Sequence, residues 1–210
     1  MKNFTERIKK SRNCTIALRG VVLFPGATVS FEVSRKSSVN AFRYAYKNNE
    51  DVFFVTQKDS AVLSPGVDDL YNVGVLGKID YYVKLPNGNY QLLVTGTSRA
   101  EISNLEFDGE KLIADVFVKK IRTSSEVSES EAKKKIWKAL GDYIASYPFP
   151  SQDIVEKALR ISDPDKLADF LASNFLTKTE DRQQALSIFD PIERLGFITS
   201  VFELQIESTS

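Results

Sequence analysis

The 210-residue sequence predicts an α+β fold in two parts, a β-rich half over residues 1–122 and a helical half over 123–210. Three observations carry that division. Up to residue 122, short runs rich in β-branched and aromatic residues are separated by Gly, Pro and Asn turn signals. Thr123–Glu131 (TSSEVSESE) is then polar and Ser-rich, as a boundary between folded parts would be. Beyond it the apolar spacing turns helical, and Asp-Pro occurs twice, a pairing that suits a helix cap followed by a first-turn proline.

Taken in order, Thr15–Gly26 (TIALRGVVLFPG) reads as a buried strand, interrupted at Arg19-Gly20, that exits through a Pro25-Gly26 turn. Thr28–Val33 alternates, with Val29, Phe31 and Val33 on one face. Ser34 is placed to cap a helix over Ser37–Lys47, which Lys47-Asn48-Asn49 ends. Asp51–Gln57 (DVFFVTQ) has the composition of a central strand, and Lys58–Gly66 that of a polar loop. Within Leu70–Ala100, Asn87-Gly88 predicts a two-residue hairpin turn. That turn sets Leu85 opposite Tyr90, Val83 opposite Leu92 and Tyr81 opposite Val94 on an apolar face. It leaves Tyr82 opposite Leu93 on the water-facing side, among Lys84, Gln91, Asp80 and Thr95. Two further strands are expected around Asp108-Gly109, giving six or seven before residue 122.

In the second half, Ile136, Trp137, Leu140 and Ile144 share a helical stripe over Ala132–Ser146. Tyr147-Pro-Phe-Pro150 stops it, and Ser151 stands at the start of the next short helix. Asp163-Pro164 opens a helix with Leu167, Phe170 and Leu171 inward, and Thr179–Ile188 forms another. Asp190-Pro191 opens the last, where Ile192, Leu195, Ile198, Phe202 and Ile206 make one apolar stripe and Phe197, Val201 and Leu204 a second. A helix apolar on two sides needs cover on both, so part of this one is expected to meet something beyond its own bundle.

Five segments together resemble the N-terminal domain of Lon proteases: LRGVVLFPG, VTQKD, DDLYNVGVLGKI, KLPNG and LLVTGTSRAEI, in that order over about 90 residues. The family's usual opening is close to LPLRDVVVFPG; here Ala17 replaces its Pro and Gly20 its Asp. The resemblance implies a PUA-like twisted β-barrel of about six strands with one inserted helix, followed by a helical bundle. It also implies a substrate-recognition module for unfolded or degron-bearing polypeptides. In the family, DP-ERL begins a long helix leading to an ATPase module; ATP and Mg would then belong to modules outside this chain, and other subunits of a hexamer would be partners. A free-standing binding or assembly module and a PUA-like RNA-binding module are the alternatives.

The chain's own chemistry is sparse. It has no histidine, which removes imidazole-based catalysis and metal ligation, and neither a GxxxxGK[ST] nor a GxSxG motif. Gly74-Val-Leu-Gly77-Lys78 is too short for a phosphate loop, and the neighbouring Asp68-Asp69 are poorly placed for an acid–base pair. No catalytic residue, metal ligand or cofactor site is therefore assigned. Net charge is zero, with 17 basic against 13 acidic residues up to residue 120 and 11 against 15 after it. The basic excess sits in the first twelve residues, read as a solvated tail, and no basic–aromatic stripe speaks for nucleic acid. No apolar run is long enough to cross a membrane, and the single cysteine, Cys14, fits a cytoplasmic setting. The candidate polypeptide-binding residues are Phe24 and Pro25 at the strand exit and Tyr82 and Leu93 on the hairpin. Leu195, Ile198, Val201 and Phe202 are the candidates for the oligomer or linker helix.

Overall fold

A computed structural model describes residues 5–121, 126–147 and 151–208. The chain divides into a unit over Arg7–Lys119 and a second made of Met1–Glu6 and Lys120–Ser210, so the N-terminal end does not belong with the β-rich half as the sequence suggests. In the first, six strands run β1 (Thr5–Leu18), β2 (Thr28–Val33), β3 (Val52–Thr56), β4 (Val73–Lys84), β5 (Tyr90–Phe107) and β6 (Leu112–Ile121), with helix α1 (Lys36–Asn48) after β2. They form one mixed sheet in the order β2-β5-β4-β3-β1-β6, and β5 also pairs with β6. The circuit β5-β4-β3-β1-β6 thus returns to β5, and β2 is attached outside it. β1 and β3 pair in parallel, with Thr15 opposite Phe53, whereas β2–β5, β3–β4, β4–β5 and β5–β6 are antiparallel.

Each strand's sequence explains its place. All five residues of β3, VFFVT, are buried, because β1 and β4 flank it and both faces are covered. Ala17, Phe53, Val55, Leu70, Leu76, Ala100, Ala114 and Val116 make a core, each large side chain contributing about 1.5–3 kcal/mol on burial. The expected solvated tail is strand instead, since β1 begins at Thr5. β5 is also longer than its periodicity indicates: Glu101–Phe107 continues the hairpin strand across a register shift between Ile102 and Asn104. A bulge absorbs the change of alternation. Helix α1 starts from Arg35, without a side-chain cap, rather than from Ser34. It ends at Asn49 in the left-handed conformation, φ 53°.

The Pro25-Gly26 turn is laid directly across β5. Gly26 N–H donates to the Gly96 carbonyl and Gly96 N–H to the Ala27 carbonyl, both at 2.9 Å. A Cβ on Gly96 would stand 2.2 Å from the Phe24 carbonyl oxygen, so only glycine admits this crossing. The crossing carries Phe24 inward, where its ring is fully buried, and not to the rim.

The hairpin register differs from the expected one by a single residue. Tyr81 faces Leu93, Tyr82 faces Leu92 and Lys84 faces Tyr90. The loop is three residues, Pro86-Asn87-Gly88: Gly88 N–H donates to the Leu85 carbonyl at 3.0 Å and Leu85 N–H to the Asn89 carbonyl at 2.8 Å. Gly88 has φ 87°, whereas Asn87 lacks the positive φ that a type I′ turn requires. The expected turn would also have made Pro86 donate across the ladder, and proline has no N–H. One residue of slip exchanges the faces, so Tyr82 turns toward the core side and Tyr81 toward water.

The second unit holds α2 (Glu126–Ser146), α3 (Gln152–Leu159), α4 (Pro164–Phe175), α5 (Thr179–Ser187) and α6 (Pro191–Glu207). Both Asp-Pro starts are realised: Asp163 accepts from Asp165 and Lys166 amides, and Asp190 from those of Ile192 and Glu193. Ser151 occupies its N-cap position without a side-chain hydrogen bond. The expected stop at residues 148–150 and the first part of the Ser-rich boundary, 122–125, lie outside the described residues. Helix α6 packs against α2, α4 and α5, and the Phe202 ring stacks on Tyr143 with centroids 4.7 Å apart.

Candidate functional site

The outward face of β2, β5 and β4 carries one of the first unit's candidate residues, Leu93. Leu93 stands beside Ser30 of β2 and opposite Tyr81 of β4. Tyr81 is 58% exposed and Leu93 37%. The polar groups around them are engaged with one another. Thr28 and Thr95 hydroxyls lie 2.9 Å apart, and Thr95 also donates to Asp80 at 2.6 Å. Gln91 donates to Ser30 at 2.7 Å, and Glu32 accepts from the side-chain amides of Asn87 and Asn89. What this face offers to a partner is therefore chiefly the Tyr81–Leu93 pair.

Of the residues proposed from sequence, Leu93 is exposed, Pro25 is half-buried at the crossing turn, and Phe24 is interior. Tyr82 belongs to an aromatic cluster, its centroid 5.1 Å from Phe42, 5.0 Å from Tyr46 and 6.2 Å from Tyr90. That packing follows from the register: a ring opposite Leu92 is directed where α1 lays Phe42. Tyr81, which the one-residue error had turned inward, is the exposed aromatic.

At the end of β1, a cleft of about 190 Å³ is lined by Ile16, Phe31 and Val33 together with Arg19, Arg35 and Ser38. Burial, and secondarily the charge of Arg19, pushes the Arg35 guanidinium pKa down. The loop after β3 is fixed by Gln57, buried, whose amide donates to the carbonyls of Asp59 at 3.1 Å and Val62 at 3.0 Å while its oxygen accepts from Arg35. Sequence reading missed this role. The signal was a Gln closing an otherwise apolar strand, VFFVTQ.

In the second unit, Leu195, Ile198, Val201 and Phe202 are buried among α6 and its neighbours, so they are interior residues and not an assembly face. The second stripe that the sequence left open is largely covered; Leu204 alone of it is well exposed, at 65%. Sequence reading also missed Arg194, fully buried, whose guanidinium donates to Asp165 and Asp169 at 2.8 Å and to the carbonyls of Ile188 and Phe189. A cation on the stripe of Leu195 and Ile198 was the available sign, because a charge there must find partners.

Among the described residues no group of three or more His, Cys, Asp or Glu could hold a metal ion, and no helix is long and apolar enough to cross a membrane.

Comparison with known proteins bears on the whole arrangement. The chain is 31% identical over 160 residues to Lon protease 1 of Hydrogenovibrio crunogenus, a match covering 75% of this chain and 19% of that protein. It is 40% identical over 99 residues to Lon protease of Heliobacterium modesticaldum, covering 47% and 12%. The chain thus spans about a fifth or less of these relatives. In structure it is similar to the N-terminal domain of Mycobacterium avium complex Lon protease, with TM-score 0.74 and 17% identity, covering 92% of this chain and 98% of that one. The Lon N-terminal domain protein from Xanthomonas campestris superposes with TM-score 0.61 at 16% identity, covering 89% and 95%. These two likenesses show the fold. Residues 14–202 match the family described as the ATP-dependent protease La (LON) substrate-binding domain, and the chain belongs to that family.

Proposed function

We propose that this chain is a non-catalytic recognition module that captures unfolded or degron-bearing polypeptide for the ATPase and protease modules of an ATP-dependent protease. The observation that carries it is the Tyr81–Leu93 pair, apolar, exposed and set among polar groups that already satisfy one another. A polypeptide client offers apolar side chains, and each large one fully covered contributes about 1.5–3 kcal/mol, which gives reversible capture from a few contacts. Pro25, half-buried at the crossing turn, is a further candidate contact, whereas Phe24 is interior and Tyr82 belongs to the aromatic cluster with α1. The strand circuit closed through β5 supports a PUA-like barrel, and the convergence of α2, α4 and α5 on α6 supports a helical bundle over 123–210. ATP and Mg act in modules outside these residues, and copies of the same protein are the assembly partners, in a cytoplasmic setting.

The test is a Tyr81→Ser, Leu93→Ser variant with an unchanged melting profile, titrated with a permanently unfolded, fluorescently labelled protein. Affinity should fall by about tenfold or more. Equal affinity in the folded variant would place client binding elsewhere.

A further inference from the structure

The cleft at the end of β1 combines charge and apolar surface in a way the exposed pair does not. Ile16, Val21, Phe31 and Val33 supply apolar walls, and Arg19 and Arg35 supply two cations. Among the described residues neither guanidinium forms an ion pair. Arg19 donates to the Val62 carbonyl at 3.4 Å, and Arg35 to the neutral Gln57 side chain. Glu32 also lines the cleft, but its carboxylate accepts from Asn87 and Asn89. Gly20, next in the chain, brings no carboxylate beside Arg19.

A third polar group completes the site. Ser38 lines the cleft and is only 5% exposed, and its hydroxyl has no hydrogen-bond partner among the described residues. It stands in the first turn of α1, whose N-cap residue Arg35 supplies no side-chain cap, so the positive end of the helix adds to the same field. The cleft's volume of about 190 Å³ is below the roughly 300–1,000 Å³ of drug-sized sites, which suits one side chain and the charge next to it.

We propose that this cleft binds a carboxylate presented beside an apolar side chain on an extended polypeptide, with Arg19 and Arg35 pairing the anion and the Ser38 hydroxyl donating to it. The carboxylate is either the C-terminal group of the client or the side chain of an Asp or Glu next to an apolar residue. This deepens the recognition role above and rests on it.

The experiment measures binding of three labelled peptides of one apolar sequence by fluorescence anisotropy at low and high salt. One ends in a free acid, one in an amide, and one is amidated with a Glu inside the apolar run. The free-acid or the Glu peptide should bind at least about tenfold more tightly than the plain amide, with the advantage shrinking at high salt. Which of the two gains identifies the source of the carboxylate. The advantage should vanish in Arg19→Gln, an exposed position whose replacement spares the core, and fall in Ser38→Ala. Three peptides of equal affinity would overturn the carboxylate site while leaving polypeptide recognition intact. Failure of all three, and of the unfolded protein, would overturn recognition itself. A single-stranded oligonucleotide that displaces the acid peptide at lower concentration than the peptide's own affinity would assign the cleft to nucleic acid and overturn the proposal.

Discussion

Arg194 shows how one residue sets the interior of the helical unit. Its guanidinium is fully buried and reaches Asp165, Asp169 and two carbonyls at the α5–α6 connection, so it ties α4 to the start of α6. Replacing it with Met keeps the length but leaves the buried Asp169 carboxylate facing a thioether. Arg194→Met should therefore lower unfolding free energy by about 3–5 kcal/mol in a urea titration. Adding Asp169→Leu should recover much of that loss, because the remaining Asp165 is exposed and rehydrates. A loss no larger than that of an ordinary surface change would show the network contributes little. The network was only partly legible in the sequence. The Asp190 cap is local and was read correctly, whereas the partners of Arg194 lie 25 and 29 residues away.

At the scale of elements, the β4–β5 hairpin decides which aromatic ring meets water. Asn87-Gly88 is a strong turn signal, yet Pro86 before it cannot donate across the ladder, and the chain makes a three-residue loop instead. Strand identity and the inward face of β5, with Tyr90, Leu92 and Val94 buried, were readable from alternation. The facing of β4 was not, because it depends on the number of residues in the loop. Deleting Pro86 would leave Asn87-Gly88 as a two-residue loop with Leu85 still opposite Asn89. The register should survive, with cross-strand nuclear Overhauser contacts between Tyr81 and Leu93 and a stability change within about 1 kcal/mol. Contacts between Tyr82 and Leu93 would show that Asn87-Gly88 does not form a two-residue turn even without Pro86, so that the proline is not what prevents it.

For the molecule as a whole, the change of pattern near Thr123–Glu131 falls just after Lys120, where the chain passes into the helical unit, but that unit also takes in Met1–Glu6, and α2 begins at Glu126 inside the polar stretch. What sequence could not supply was the role of α6. Two apolar stripes read as one spare face, but three helices pack on it and leave Leu204 as the well-exposed member. Removing residues 191–210 should therefore unfold the helical unit as a whole and not merely shorten it. Amides of β3, β4 and β5 should keep their slow hydrogen exchange in that truncated chain, since the sheet has its own core. Loss of protection in those strands would show that the two units fold as one.

The turn that crosses β5 has a consequence for ancestry. Phe24-Pro25-Gly26 and Gly96 are distant in sequence, yet neither arrangement exists without the other, because a single methyl group at 96 would collide with the Phe24 carbonyl. The two motifs are therefore sterically coupled, and a change at 96 has to be matched by a change in the path of the turn. A recombinant joining the first sixty residues of this chain to the later strands of a relative would keep its fold only if that relative also carries glycine at the matching place. A lineage that lost this glycine would have to reroute its opening strand in the same evolutionary step.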